Sequence, residues 1–160
     1  MRRAWIVVLV ATSLSLPMVP SAGAVTERIP TSGVDVIVQL VDPGRVWVTE
    51  DGVQHVRGWT GSYETTDALY GTGSLLIVAN WNLDLTTGSG SLRGTMYYEF
   101  PSAGGGFEGT WNAKFSAFLW SGKSQGTGFG DLEGWQLRQD LQSTGPGTDV
   151  YTGFVFNPGG

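Results

Sequence analysis

Few side chains in this chain are equipped for chemistry. It has no cysteine and one histidine, which closes off thiol catalysis, disulfides and a histidine-rich metal site. His55 would have to serve as the base of any Ser-His-Asp arrangement. It shares strand parity with Val53 and Arg57 beside a turn, where a solvent-facing or hydrogen-bonded histidine is the ordinary role. What remains is acid. Asp131 and Glu133 share parity with Phe129, Trp135 and Leu137. If that face is interior, a buried carboxyl has a raised pKa and can protonate or orient a ligand. Glycines at 128, 130 and 134 can instead host a bulge that turns both acids outward. Glu133, flanked by Gly134 and Trp135, is the better candidate of the two. Glu99 and Glu108 form a second pair beside the run Gly104-Gly105-Gly106. Two close carboxylates raise one another's pKa or hold a cation such as Ca²⁺; the alternative places both in water at a hairpin end.

These acids are positioned by strands, because the dominant pattern is period 2. Leu75, Ile77, Ala79, Trp81, Leu83 and Leu85 alternate with polar residues, and so do Leu92, Gly94, Met96, Tyr98 and Phe100. Successive side chains of a strand point to opposite faces, so each run marks a half-buried antiparallel strand. Pairing Leu85 with Leu92 sets Trp81 against Met96 and Asp84 against Arg93. Pairing Phe100 with Phe107 then sets Met96 against Trp111, and Glu99 against Glu108. One face stays apolar across three strands, as a meander requires.

Around this centre the alternation of Val34, Val36, Val38 and Leu40 gives a first strand, and Glu50-Asp51-Gly52 turns a short hairpin between Arg45–Glu50 and Val53–Trp59. Residues 61–73 read as a loop, 107–119 as a long strand, 120–128 as a polar turn, 129–141 as a strand, 143–147 as a loop and 150–156 as the last strand. The sum is an all-β, antiparallel meander of about eight strands closed into a barrel, which leaves no exposed edge. The Gly-rich segments Gly71-Thr72-Gly73, Gly88-Ser89-Gly90 and Gly126-Thr127-Gly128 each open a strand. A phosphate-cradling loop needs a helix to follow, so turns and bulges are the reading.

Met1, Arg2 and Arg3, the apolar run 5–16 and Ala22-Gly23-Ala24 have the layout of a signal peptide over residues 1–24. An arm over 25–33 and a single domain over 34–160 then follow, and the expected location is secreted or periplasmic. No second apolar run has membrane length, so no membrane span is expected after cleavage. Acidic residues number 14 against nine basic ones, of which Arg2 and Arg3 lie in the leader. Scattered and outnumbered cations exclude a nucleic-acid binder. The 25 glycines are more than twice the usual share of about 7%, and with seven tryptophans they suit tightly turned β-structure rather than disorder.

Strands opened by Gly-Thr-Gly, with Gly109-Thr110-Trp111 and Gly126-Thr127-Gly128 in the later half, resemble the allene oxide cyclase-like and dirigent-like barrels over residues 71–141. The resemblance implies an eight-stranded barrel with a hydrophobic cavity, often oligomeric, in which some members guide cyclisation or coupling of a small apolar substrate. No catalytic residue carries over.

Three functions follow as expectations. The first is a non-catalytic barrel that binds a small apolar ligand, lined by Trp81, Met96, Tyr98, Trp111, Phe115 and Trp135 and anchored by Glu133, with no cofactor. The second is an isomerase- or cyclase-like enzyme with Glu133 or Asp131 as its acid. The third is a structural or carbohydrate-contacting surface protein that uses Trp47, Trp59 and Trp120 near turns.

Overall fold

The computed structural model describes residues 27–158; the expected signal peptide lies outside them. Nine strands follow in order: β1 (Arg28–Asp42), β2 (Arg45–Val48), β3 (Val53–Asp67), β4 (Gly71–Asp84), β5 (Gly90–Phe100), then a 3₁₀ turn (Pro101–Ala103), β6 (Gly105–Ser116), β7 (Leu119–Gly130), β8 (Gln136–Gly145) and β9 (Thr148–Phe156). Sequential antiparallel pairing runs from β3 to β9, and β1 pairs with both β9 and β3. That double pairing closes an eight-stranded antiparallel barrel, the expected architecture. β2 is not a ninth stave. Asp42 pairs with Thr60 and Arg45 with Arg57, so β2 continues β1 along β3 past an interruption at Pro43-Gly44.

The two central hairpins keep the expected faces but not the expected pairs. Trp81 opposes Leu92 and Ala79 opposes Gly94, a register displaced by four residues from the apolar matching. The cause is Asp84. Its carboxylate accepts the backbone N–H groups of Thr86 at 2.8 Å and Thr87 at 3.0 Å, so it folds the turn instead of meeting Arg93. Between β5 and β6 the 3₁₀ turn ends on Gly104 at φ 63°, and the register moves by two: Tyr98 opposes Phe107, and Gly94 opposes Trp111. Both displacements are even, so no side chain changes face.

Other segments depart further from expectation. Residues 61–67 are strand rather than loop, and 120–128 form the body of β7 rather than a turn. The long strand expected over 107–119 is cut by a two-residue turn at Ala117 and Phe118, with φ of 51° and 67°. Gly126-Thr127-Gly128 lies inside β7 and opens nothing. Residues 28–33, expected as an arm, pair with β9 as the start of β1.

The largest correction concerns the first strand. Val34, Val36 and Val38 face outward, Val38 being 61% exposed, while Thr31, Asp35 and Ile37 turn inward. β1 closes the barrel between β9 and β3, so its facing follows the polar groups that the barrel interior presents rather than its own apolar alternation. Thr31 Oγ1 donates to the Asp67 carboxylate at 2.7 Å, and Tyr98 Oη donates to Asp35 Oδ2 at 2.9 Å.

The barrel's two ends differ. At one, Tyr70 packs on Phe100 and Phe107 with ring centroids 5.1 and 5.8 Å apart, and Leu132 and Trp135 join them. Tyr98, Phe107, Leu75 and Val155 are fully buried here, each contributing roughly 1.5–3 kcal/mol. The other end carries the turns at 49–52, 85–89, 117–118 and 146–147, and the interior below it is not filled. Among the described residues no helix is long and apolar enough to cross a membrane.

Candidate functional site

The inward positions of consecutive strands build a cavity of about 170 Å³ under the open end. β3 supplies Trp59 and Tyr63, β4 supplies Ile77, Ala79 and Trp81, β5 supplies Leu92, and β6 and β7 supply Trp111, Phe115 and Trp120. Four indoles share one wall system: Trp59 stands edge-on to Trp81 with centroids 6.1 Å apart, and Trp111 lies 5.7 Å from Trp120. Small inward residues make this possible. A Cβ on Gly94 would stand 1.8 Å from the Val78 carbonyl and 2.8 Å from Trp111 Nε1, and one on Gly61 would stand 2.3 Å from the Trp59 ring.

Across from the indoles the wall turns polar. Asp149 of β9 lines the cavity, is 6% exposed, and pairs across strands with Asp35 of β1, which is 2% exposed. Directly opposed side chains have Cβ atoms about 5 Å apart, so these two buried carboxyls are immediate neighbours. Burial pushes Asp149 up to about 7, and the Asp35 charge adds to this against the Ser143 hydroxyl. Burial likewise pushes Asp35 up to about 6; the Thr65 and Tyr98 hydroxyls oppose it, and Asp67 adds to it. Oδ1 of Asp35 is buried without a hydrogen-bond partner. Behind the pair, Tyr151 Oη donates to Asp67 Oδ2 at 2.7 Å, and Asp67 also accepts the N–H groups of Leu69 and Tyr70. Burial raises Tyr63 and Tyr98, with Asp149 and Asp35 respectively as the next cause, so both phenols stay neutral donors. Among the described residues no Lys, Arg or His is buried to balance this acid.

The sequence-derived candidates distribute unevenly over this arrangement. Trp81, Trp111 and Phe115 line the cavity. Met96 and Tyr98 lie deeper, with Trp111, around a void of about 20 Å³. Trp135 packs at the closed end, away from the cavity. Asp131 and Glu133 are both exposed in the turn between β7 and β8, because β7 ends at Gly130 with φ 64°. Neither is a buried acid; the acid that lines the cavity is Asp149. Glu99 opposes Gly106 and Glu108 opposes Tyr97, so the expected carboxylate pair is not formed. Among the described residues no group of three or more His, Asp or Glu is placed to hold a metal ion.

Of the turn-side tryptophans, Trp59 and Trp120 point into the cavity, leaving only Trp47 outside it. Trp47 stacks on His55 with ring centroids 5.0 Å apart, and the Arg45 guanidinium lies 5.0 Å from its ring. His55 Nδ1 shares a hydrogen bond of 2.7 Å with Asn82 Oδ1. Asp35 and Asp149 were signalled only by parity. Asp149 keeps step with Tyr151 and Val155, both buried, whereas the exposed valines beside Asp35 mask its facing. In comparison with known proteins, no family model matches the chain, and no curated protein or solved structure is significantly similar to it.

Proposed function

We propose that this protein is an exported barrel that binds one small, largely apolar ligand inside the cavity, without catalysis. The observation that carries the reading is the 170 Å³ space walled by Trp59, Trp81, Trp111, Trp120, Phe115 and Leu92. Pockets of this kind, apolar with a few convergent polar groups, are the usual form of a small-molecule site. An apolar cavity of about 150 Å³ in another protein holds a single benzene, so the matching ligand here is the size of one ring.

Titration of tryptophan fluorescence with toluene and with cyclohexane tests it. Saturable change is expected in the wild type and none in Ala79→Leu, whose added carbons occupy the space. Absence of any change in the wild type sinks the reading. A second reading has one observation in its favour: Asp149, held near neutrality beside the cavity, has the pKa a general acid needs. An isomerase using it would lose turnover in Asp149→Asn while retaining affinity; a ligand recovered chemically unchanged from prolonged incubation removes that reading.

A further inference from the structure

The polar side of the cavity goes beyond what an apolar ring requires. Asp149 opens onto the cavity, Asp35 stands directly opposite it, and Asp67, two residues along β3 from the Thr65 that opposes Asp35, is close enough to act on it, all three at most 6% exposed. When ionised, carboxyls only accept hydrogen bonds. The donors facing them from neighbouring strands are neutral hydroxyls: Tyr63 and Thr65 of β3, Tyr98 of β5, Ser143 of β8, Tyr151 of β9 and Thr31 of β1. They leave Asp35 Oδ1 without a partner. Every described Lys, Arg and His is exposed or half-buried, so no side chain supplies a counter-charge. Facing the acids are the indoles of Trp59, Trp81, Trp111 and Trp120, whose faces attract cations.

Resting on the ligand-binding reading above, we propose that the cavity's occupant is a small organic ammonium ion: an amine on a single ring or on an alkyl group of similar size, its nitrogen against Asp149 and its apolar part among the indoles. A neutral ring would fill the volume but bring the acid pair no counter-charge, and a carboxylate-bearing ligand would meet like charge. An ammonium supplies the N–H donors and the charge together, and its positive field lets Asp149 ionise. Binding is therefore coupled to proton release. Asp149, pushed up to about 7 by burial and by Asp35, must give up its proton, so affinity rises between pH 5 and pH 8 while the amine itself stays charged.

The test is calorimetric titration of the whole folded chain with three probes of one shape: benzylamine, benzyl alcohol and benzoate. At pH 8 benzylamine is expected to bind at least about tenfold more tightly than benzyl alcohol, with benzoate weakest, and the preference should shrink toward pH 5. Asp149→Asn should lose the preference of benzylamine over benzyl alcohol. The wild-type pH profile stands independently of whether that variant folds. Benzyl alcohol binding as well as benzylamine, or a preference undiminished in Asp149→Asn, overturns the inference and leaves the cavity reading intact. Failure of all three probes to bind the wild type overturns both.

Discussion

The buried acid pair makes the protein's stability fall as pH rises, opposite to the behaviour of a protein held by ionised surface carboxylates. Asp149 sits near pKa 7 when folded and returns to about 3.8 when unfolded. The folded state therefore binds the extra proton, and the stability it brings is complete below about pH 4 and lost as pH passes through 7. Roughly three pH units at about 1.4 kcal/mol each gives a loss on the order of 4 kcal/mol. Asp35 titrates with it as a coupled pair, so the two contributions overlap rather than add. For a domain of this size about 3–5 °C of Tm accompanies each kcal/mol, which predicts a fall of roughly 10–20 °C between pH 4.5 and pH 8. The assay is thermal unfolding followed by near-ultraviolet circular dichroism, on wild type and Asp149→Asn in parallel. Asp84 works in the opposite direction, since the backbone N–H groups of Thr87 and Thr86 hold its carboxyl below its ordinary value, but it contributes equally to both proteins. The difference between the two profiles thus isolates Asp149. The variant should match the wild type near pH 4.5 and exceed it in Tm at pH 8. Parallel profiles would refute the reasoning, because they would mean Asp149 ionises as freely as a carboxyl in water.

Tyr98→Phe removes the hydroxyl that donates to Asp35 Oδ2, so Asp35 should move further above 6 and the variant should lose about 1 kcal/mol at pH 5 but about 2–3 kcal/mol at pH 8, read by urea unfolding. Ala117→Gly relieves one of the two left-handed residues in the β6–β7 turn and should raise stability by about 1 kcal/mol in the same assay; a loss would show that the turn is held by the Ala117 methyl rather than strained by it.

The central strands were readable because burial on one face and water on the other wrote a clean alternation into 75–85 and 92–100. Parity survived even where pairing did not, since Asp84 and the Pro101–Ala103 turn moved the strands by even steps. The β6–β7 turn was illegible for a different reason. Tight hairpins normally advertise themselves with Asn-Gly or Gly-X, and Ala117-Phe118 carries neither, so β6 and the start of β7 read as one strand. β7 itself was hidden because its inward positions after Trp120 are small or polar, Gly122, Ser124, Gly126 and Gly128, and offer no apolar rhythm. The cavity's aromatic wall was therefore foreseeable from Trp81, Trp111 and Phe115, while its acid was not. Asp35 stands between outward valines, and the facing of β1 is set by partners on β3 and β9 that are distant in sequence. A one-strand pattern cannot report a choice made by three strands together.

The seam where β1 meets β9 also sets the order in which the molecule can be completed. Arg28 pairs with Phe156 and Val36 with Thr148, so the earliest stave of the wall waits for the latest one. A chain emerging from its N-terminus can zip β3 through β8 hairpin by hairpin, but nothing locks the cylinder until the final nine-residue strand arrives. Until then Asp35 has no Asp149 to confront, and the acidic interior comes into being only in the last step of assembly.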